Sequence, residues 1–156
     1  MALTPGGEDQ PRFQALAFGF RLDRDAAALP QGVSAPLFVI HGGSIIVMNL
    51  LGRVTTVIQA LANATKVIAV PTVGTPVDLC ATADITGREV GGKLSLPGDM
   101  TAPLVVANAG AIALQNRNLV VDAGEIHLSC AASATGEVKW SLFFQQFDET
   151  AWVEVV

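Results

Sequence analysis

The sequence predicts an all-β chain: an antiparallel β-sandwich or β-barrel with about ten short strands and long loops. Three observations predict it. Apolar and polar residues alternate along short segments, as where Ile126, Leu128 and Cys130 are separated by His127 and Ser129. Fifteen Gly and eight Pro break the chain into such segments, at roughly the 8–12-residue spacing of strand-and-turn proteins. The run Val54-Thr55-Thr56-Val57-Ile58 is β-branched throughout, and such residues lose rotamer freedom in a helix but pack well on a pleated face.

In chain order, Ala17 to Leu22 alternates with Phe18, Phe20 and Leu22 on one face. A loop rich in Ala, Pro and Gly is expected from Asp23 to Ser34. Strands at Leu37–Ile40 and Ser44–Leu51 flank Gly42-Gly43, which is read as a hairpin turn. Val54, Val57, Ile58 and Leu61 also fit helical spacing, but the β-branched run decides for a strand over Arg53–Leu61. A turn at Ala62-Asn63-Ala64 and a returning strand over Thr65–Val70 follow. Further strands are expected at Val77–Thr82, Val90–Leu96, Leu104–Ala107 and Ile112–Gln115, with turns at Asp84–Gly87 and Pro97-Gly98-Asp99. Val138, Trp140, Leu142 and Phe144 share a face and are expected to pair across a hairpin with Ile126, Leu128 and Cys130. Trp152 to Val156 reads as an edge strand.

At 156 residues the chain has the size of one domain, large enough to fold without metal or disulfides. Residues 15–156 are read as a single β-rich domain. Residues 1–14 hold Pro5, Gly6, Gly7 and Pro11, which rule out a regular helix or central strand, so the expectation is an extended N-terminal arm that reaches a neighbour, with a frayed terminus as the other reading. Apolar residues make up 51% and charged residues 15%, a balance that excludes intrinsic disorder. The net charge is −5, and the basic residues are scattered singly from Arg12 to Lys139, so no nucleic-acid footprint is expected. No signal peptide is expected in MALTPGGEDQ, which lacks an apolar core. The apolar run Pro36–Leu51 is too short for a membrane span and contains His41, Gly42, Gly43 and Asn49. Cys80 and Cys130 are read as buried free thiols.

Charge is absent from Ala26 to Gly52 and from Met100 to Asn116, and Val54 to Val77 contains only Lys66. Two readings follow: a surface that faces other protein, or strands covered by Thr, Ser, Asn and Gln.

No catalytic, cofactor or metal site is expected. His41-Gly42-Gly43-Ser44 has the glycines of an esterase oxyanion hole without the G-x-S-x-G elbow. His41 and His127 lie far apart and no zinc-ligand spacing occurs. Asp23-Arg24-Asp25 opens like a calcium loop but lacks the Gly and closing Glu, and reads as a solvated loop. Asn63-Ala64-Thr65 matches a glycosylation sequon and is read as a turn.

Leu119–Leu128 followed by Gly136-Glu137-Val138-Lys139-Trp140, together with Gly52–Thr56, Asn63–Lys66 and Pro71–Thr75, resembles small virion structural proteins of tailed bacteriophages over about residues 36–150. The resemblance implies a non-enzymatic capsid decoration or cement protein, made in the bacterial host cytoplasm and carried on the virion. It implies the major capsid protein or other virion proteins as partners, and a homo-oligomer, with a trimer favoured. It transfers no functional residues, and the N-terminal arm lies outside it. A neck, tail or fibre-base protein and a carbohydrate- or host-surface-binding β-sandwich are the other expectations. The pattern that turns Trp140 inward leaves few aromatics for a sugar site.

Overall fold

The computed structural model describes residues 19–156; the expected arm over residues 1–14 and the start of the first expected strand, at Ala17 and Phe18, lie outside these. Twelve strands and no helix occur among the described residues. In order they are β1 (Phe20–Ala28), β2 (Ser34–His41), β3 (Ile45–Thr56), β4 (Ala64–Pro71), β5 (Val77–Asp78) and β6 (Ala83–Asp84). There follow β7 (Lys93–Ser95), β8 (Val105–Ala107), β9 (Leu119–Val121), β10 (Gly124–Cys130), β11 (Glu137–Gln146) and β12 (Trp152–Val155).

The strands form two antiparallel sheets. The first has the order β1-β11-β3-β7-β8, with β9 also on β3; the second has β12-β2-β10-β4-β5, with β6 also on β4. Their hydrogen-bond ladders are separate, so the molecule is a sandwich and not a closed barrel. Each open side is nevertheless tied. On one, the Arg24 guanidinium of β1 donates to the Val156 carbonyl beyond β12 (2.9 Å). On the other, Ala81 bridges Pro103, with Ala81 N–H donating to the Ala102 carbonyl and Leu104 N–H to that of Ala81.

Alternation selects the core. Ile126, Leu128 and Cys130 of β10 and Val138, Trp140, Leu142 and Phe144 of β11 are all buried, as expected, and join one cluster with Phe38, Ile40, Leu50 and Val67. Burying each such aliphatic side chain is worth about 1.5–3 kcal/mol. The two rows do not pair across a hairpin, however. β10 lies between β2 and β4, whereas β11 lies between β1 and β3. The residues 131–136 therefore carry the chain from one sheet to the other, and the two apolar rows belong to facing layers.

The same change of sheet corrects two other expected hairpins. His41 ends β2 in the second sheet and Ile45 opens β3 in the first, so Gly42-Gly43 is an inter-sheet corner. Gly42 has φ +75°, and a Cβ there would run into the Thr150 carbonyl. The corner is pinned by Asp148, whose Oδ2 accepts the Ser44 N–H (2.7 Å), and by Asp122, which accepts the Ser44 hydroxyl (2.8 Å). Likewise β3 runs unbroken through Thr56, and residues 57–63 leave the first sheet to reach β4 in the second. Ile58 there is buried, its N–H donating to the Arg88 carbonyl. The β-branched run thus spans a strand end.

Other boundaries also move. The expected loop from Asp23 is strand as far as Ala28, because β1 keeps its ladder to β11 past a register shift between Arg24 and Ala27. Asp23-Arg24-Asp25 is accordingly strand, not a solvated loop. The expected strand over Val77–Thr82 reduces to Val77–Asp78, the one over Val90–Leu96 to Lys93–Ser95, and Ile112–Gln115 is not a strand. The turn after β6 is built on Asp84, whose Oδ1 accepts the N–H of Asn63 (2.9 Å) and both the N–H (3.0 Å) and hydroxyl (2.5 Å) of Thr86. The Asn63 N–H first, then Thr86, holds the Asp84 carboxyl below its usual range. β12 lies at the edge of the second sheet, where an edge strand was expected.

Candidate interaction surface

The uncharged stretches separate into two kinds. The stretch from Ala26 to Gly52 begins with the end of β1 and its loop, residues 26–33, which are mostly exposed. It continues through β2 and most of β3, both flanked on either side by other strands, and most of their side chains are buried or half-buried. In β2 and β3 neutrality follows from burial. The connection from β4 to β5 and Met100-Thr101 are different, because they are neutral and exposed, with the exposed Asp99 just before the second.

These segments meet at an apolar cleft of about 130 Å³ between the layers, lined by Ala69, Pro71, Val77, Leu79, Met100 and Val120, among others. β4 and β5 supply one wall and β9 the other. Around it Val120 is 58% exposed, Val77 45% and Met100 41%, and Val73 on the neighbouring loop is 89% exposed. Asp122, at its margin, is engaged by Ser44. Apolar side chains clustered on a rim with little charge have the character of an interface core. A second apolar groove, of about 190 Å³, lies between β1 and β12 and is lined by Phe20, Phe144 and Trp152. Trp152 stacks on His41 (4.1 Å between centroids), and His41 Nε2 lies 3.1 Å from Glu154.

The structure also assembles polar groups that the sequence keeps far apart. On the outer face of the second sheet, His127 Nε2 lies 2.6 Å from Glu125 Oε2 and Nδ1 lies 2.7 Å from the Ser34 hydroxyl. With Glu125 ionised, Nε2–H donates to it and Nδ1 accepts from Ser34. This is the order of a hydroxyl-activating relay, but it lies across β2 and β10 on a sheet face, and the apolar cleft and grooves are lined by other residues. Its evident effect is to cross-link two strands.

Four basic side chains that looked scattered come together on the outer face of the first sheet. Lys139 lies opposite Arg53, Arg53 opposite Lys93, and Arg21 opposite Phe143. Only the strand register brings them together; their spacing along the chain carries no signal.

No group of three or more His, Cys, Asp or Glu among the described residues could hold a metal ion. His41 and Ser44 flank the inter-sheet corner rather than a cleft. Asn63 and Thr65 of the sequon are fully buried, with Asn63 Oδ1 accepting the Ala132 N–H. Both cysteines are free and buried, and burial pushes their thiols up. No helix among the described residues is long and apolar enough to cross a membrane.

By its fold the chain belongs to the class of all-β sandwiches. Comparison with protein-family models, curated proteins and solved structures finds no match.

Proposed function

We propose that the chain is a non-enzymatic virion structural protein that binds the assembled capsid of a tailed phage and stabilises or decorates it, as a homo-oligomer with a trimer favoured. The observation that carries this reading is the apolar cleft between β4–β5 and β9, with Val77, Met100 and Val120 exposed on its rim and Asp122 its one charged lining residue. Seating such a surface on a shell buries apolar area, and the carboxylate at its margin, Asp122, already accepts the Ser44 hydroxyl. A net charge of −5 keeps the free protein soluble before it docks. Binding in many copies would stabilise the shell by mass action, with no chemistry required. The resemblance over residues 36–150 points the same way. Burial of Trp140 removes one of two tryptophans from any sugar platform, which disfavours the carbohydrate-binding alternative.

The test is occupancy on purified particles of the phage that encodes the chain, measured by quantitative mass spectrometry. Wild-type protein should be present in many copies, and Val120→Glu, which places a charge on an exposed rim and leaves the core intact, should be depleted at least tenfold (about 1.4 kcal/mol). Absence of the wild-type chain from the particles refutes the proposal.

A further inference from the structure

We infer that the outer face of the first sheet is a docking surface for a carboxylate-rich segment of a partner protein, held chiefly by Arg53 and Lys139. The inference is independent of which protein the partner is. Lys139, Arg53 and Lys93 occupy directly opposed positions on β11, β3 and β7. Neighbouring strands lie about 4.8 Å apart, so three cations stand in a row roughly 10 Å long. Like charges placed directly opposite each other destabilise a sheet. Asp23 of β1 lies near enough to Lys139 to offset part of this, but neither position paired with Arg53 is acidic. Folding alone therefore disfavours setting Arg53 there, in a chain where acidic residues outnumber basic ones, 14 to 9.

The cations differ in how they are satisfied. Arg21 pairs with Asp23 (3.0 Å) and lies over the Phe143 ring (5.5 Å). Lys93 donates to the Gly91 carbonyl (3.1 Å). Arg53 and Lys139 make no side-chain hydrogen bond or ion pair among the described residues. Both face a depression of about 170 Å³ floored by Leu51, Ser141 and Phe143. A glutamate side chain fits this chemistry: its carboxylate meets the Arg53 fork, and its methylenes lie on Leu51 and Phe143. Nucleic acid fits it less well. Duplex DNA carries a charge every 1.7 Å or so and would run off a 10 Å row onto a net-acidic molecule.

The experiment uses the full chain and a fluorescein-labelled glutamate-rich peptide, read by anisotropy at low and physiological salt, with a DNA duplex of equal formal charge beside it. The peptide should bind, more weakly as salt rises, and Arg53→Glu should weaken it on the order of tenfold. Lys66→Glu, on the second sheet, should leave peptide binding unchanged. Arg53→Glu also sets opposite charges against Lys139 and Lys93, so its melting temperature should equal or exceed that of the wild type; a lower one overturns the inference. Failure of the peptide to bind, equal binding by Arg53→Glu, or tighter binding of the duplex than of the peptide also overturns it.

Discussion

Trp140 is the most informative core residue to remove. It sits in β11 with 1% of its surface exposed, opposite Gly52 of β3. An aromatic of this size buries up to about 250 Å², which at about 25 cal/mol per Å² is roughly 6 kcal/mol of gross transfer energy. Alanine keeps part of that, and partial collapse of the cavity recovers more, so Trp140→Ala should cost about 3–5 kcal/mol. Against the 5–15 kcal/mol typical of a whole domain, the variant should be close to unfolding. The contact with Gly52 gives a second handle. A Cβ built on Gly52 would lie 3.0 Å from Cη2 and Cζ3 of Trp140 and from Cγ1 of Val138. Gly52→Ala should therefore cost about 1–3 kcal/mol through overpacking, less some 0.4–1 kcal/mol from stiffening the unfolded chain. Trp140→Phe removes the ring atoms in question, so Gly52→Ala should cost less in that background. The assay is urea unfolding followed by far-UV circular dichroism, since the remaining Trp152 is half exposed and a poor fluorescence reporter. A loss below about 1 kcal/mol for Trp140→Ala, or an undiminished penalty for Gly52→Ala in the Trp140→Phe background, refutes the packing.

Two further outcomes follow from local chemistry. Cys80 and Cys130, buried and with their thiols pushed up by burial, should react with a thiol reagent far more slowly in the native protein than in denaturant; equal rates refute their burial. Asp84, held below its usual range by the Asn63 and Thr86 donors, stabilises the fold above its unfolded value, and that contribution is lost as pH falls through the folded one. Asp84→Asn should lower the melting temperature at neutral pH and flatten its fall on acidification; an unchanged pH profile shows that the turn does not rely on the carboxylate.

How much was legible in the sequence divides along one physical line. Alternation records which side chains face inward, so the buried rows of β10 and β11 were readable from Ile126 to Phe144. It does not record which strand lies alongside. Gly42-Gly43, Ala62-Asn63-Ala64 and Ala132 to Gly136 all read as hairpin turns, yet at each the chain passes between layers, over residues 57–63 and 131–136 in the last two, because a corner and a hairpin use the same turn residues. Neutrality was ambiguous for the same reason: between Ser34 and Gly52 it marks strands enclosed by neighbours, and around Val73 and Met100 it marks exposed surface. The groups that meet only through register were not legible at all. Ser34 with His127, and Arg53 with Lys93 and Lys139, acquire their relation from pairings distant in the chain.

The proposal that the apolar end between β4–β5 and β9 seats the protein on a capsid is tested most directly by cryo-electron microscopy of purified particles. Sandwich-shaped density at lattice positions, with Val77, Met100 and Val120 turned toward the shell, is the expected result. Density with that end facing solvent, or a shell with no such density while the chain is being expressed, contradicts it.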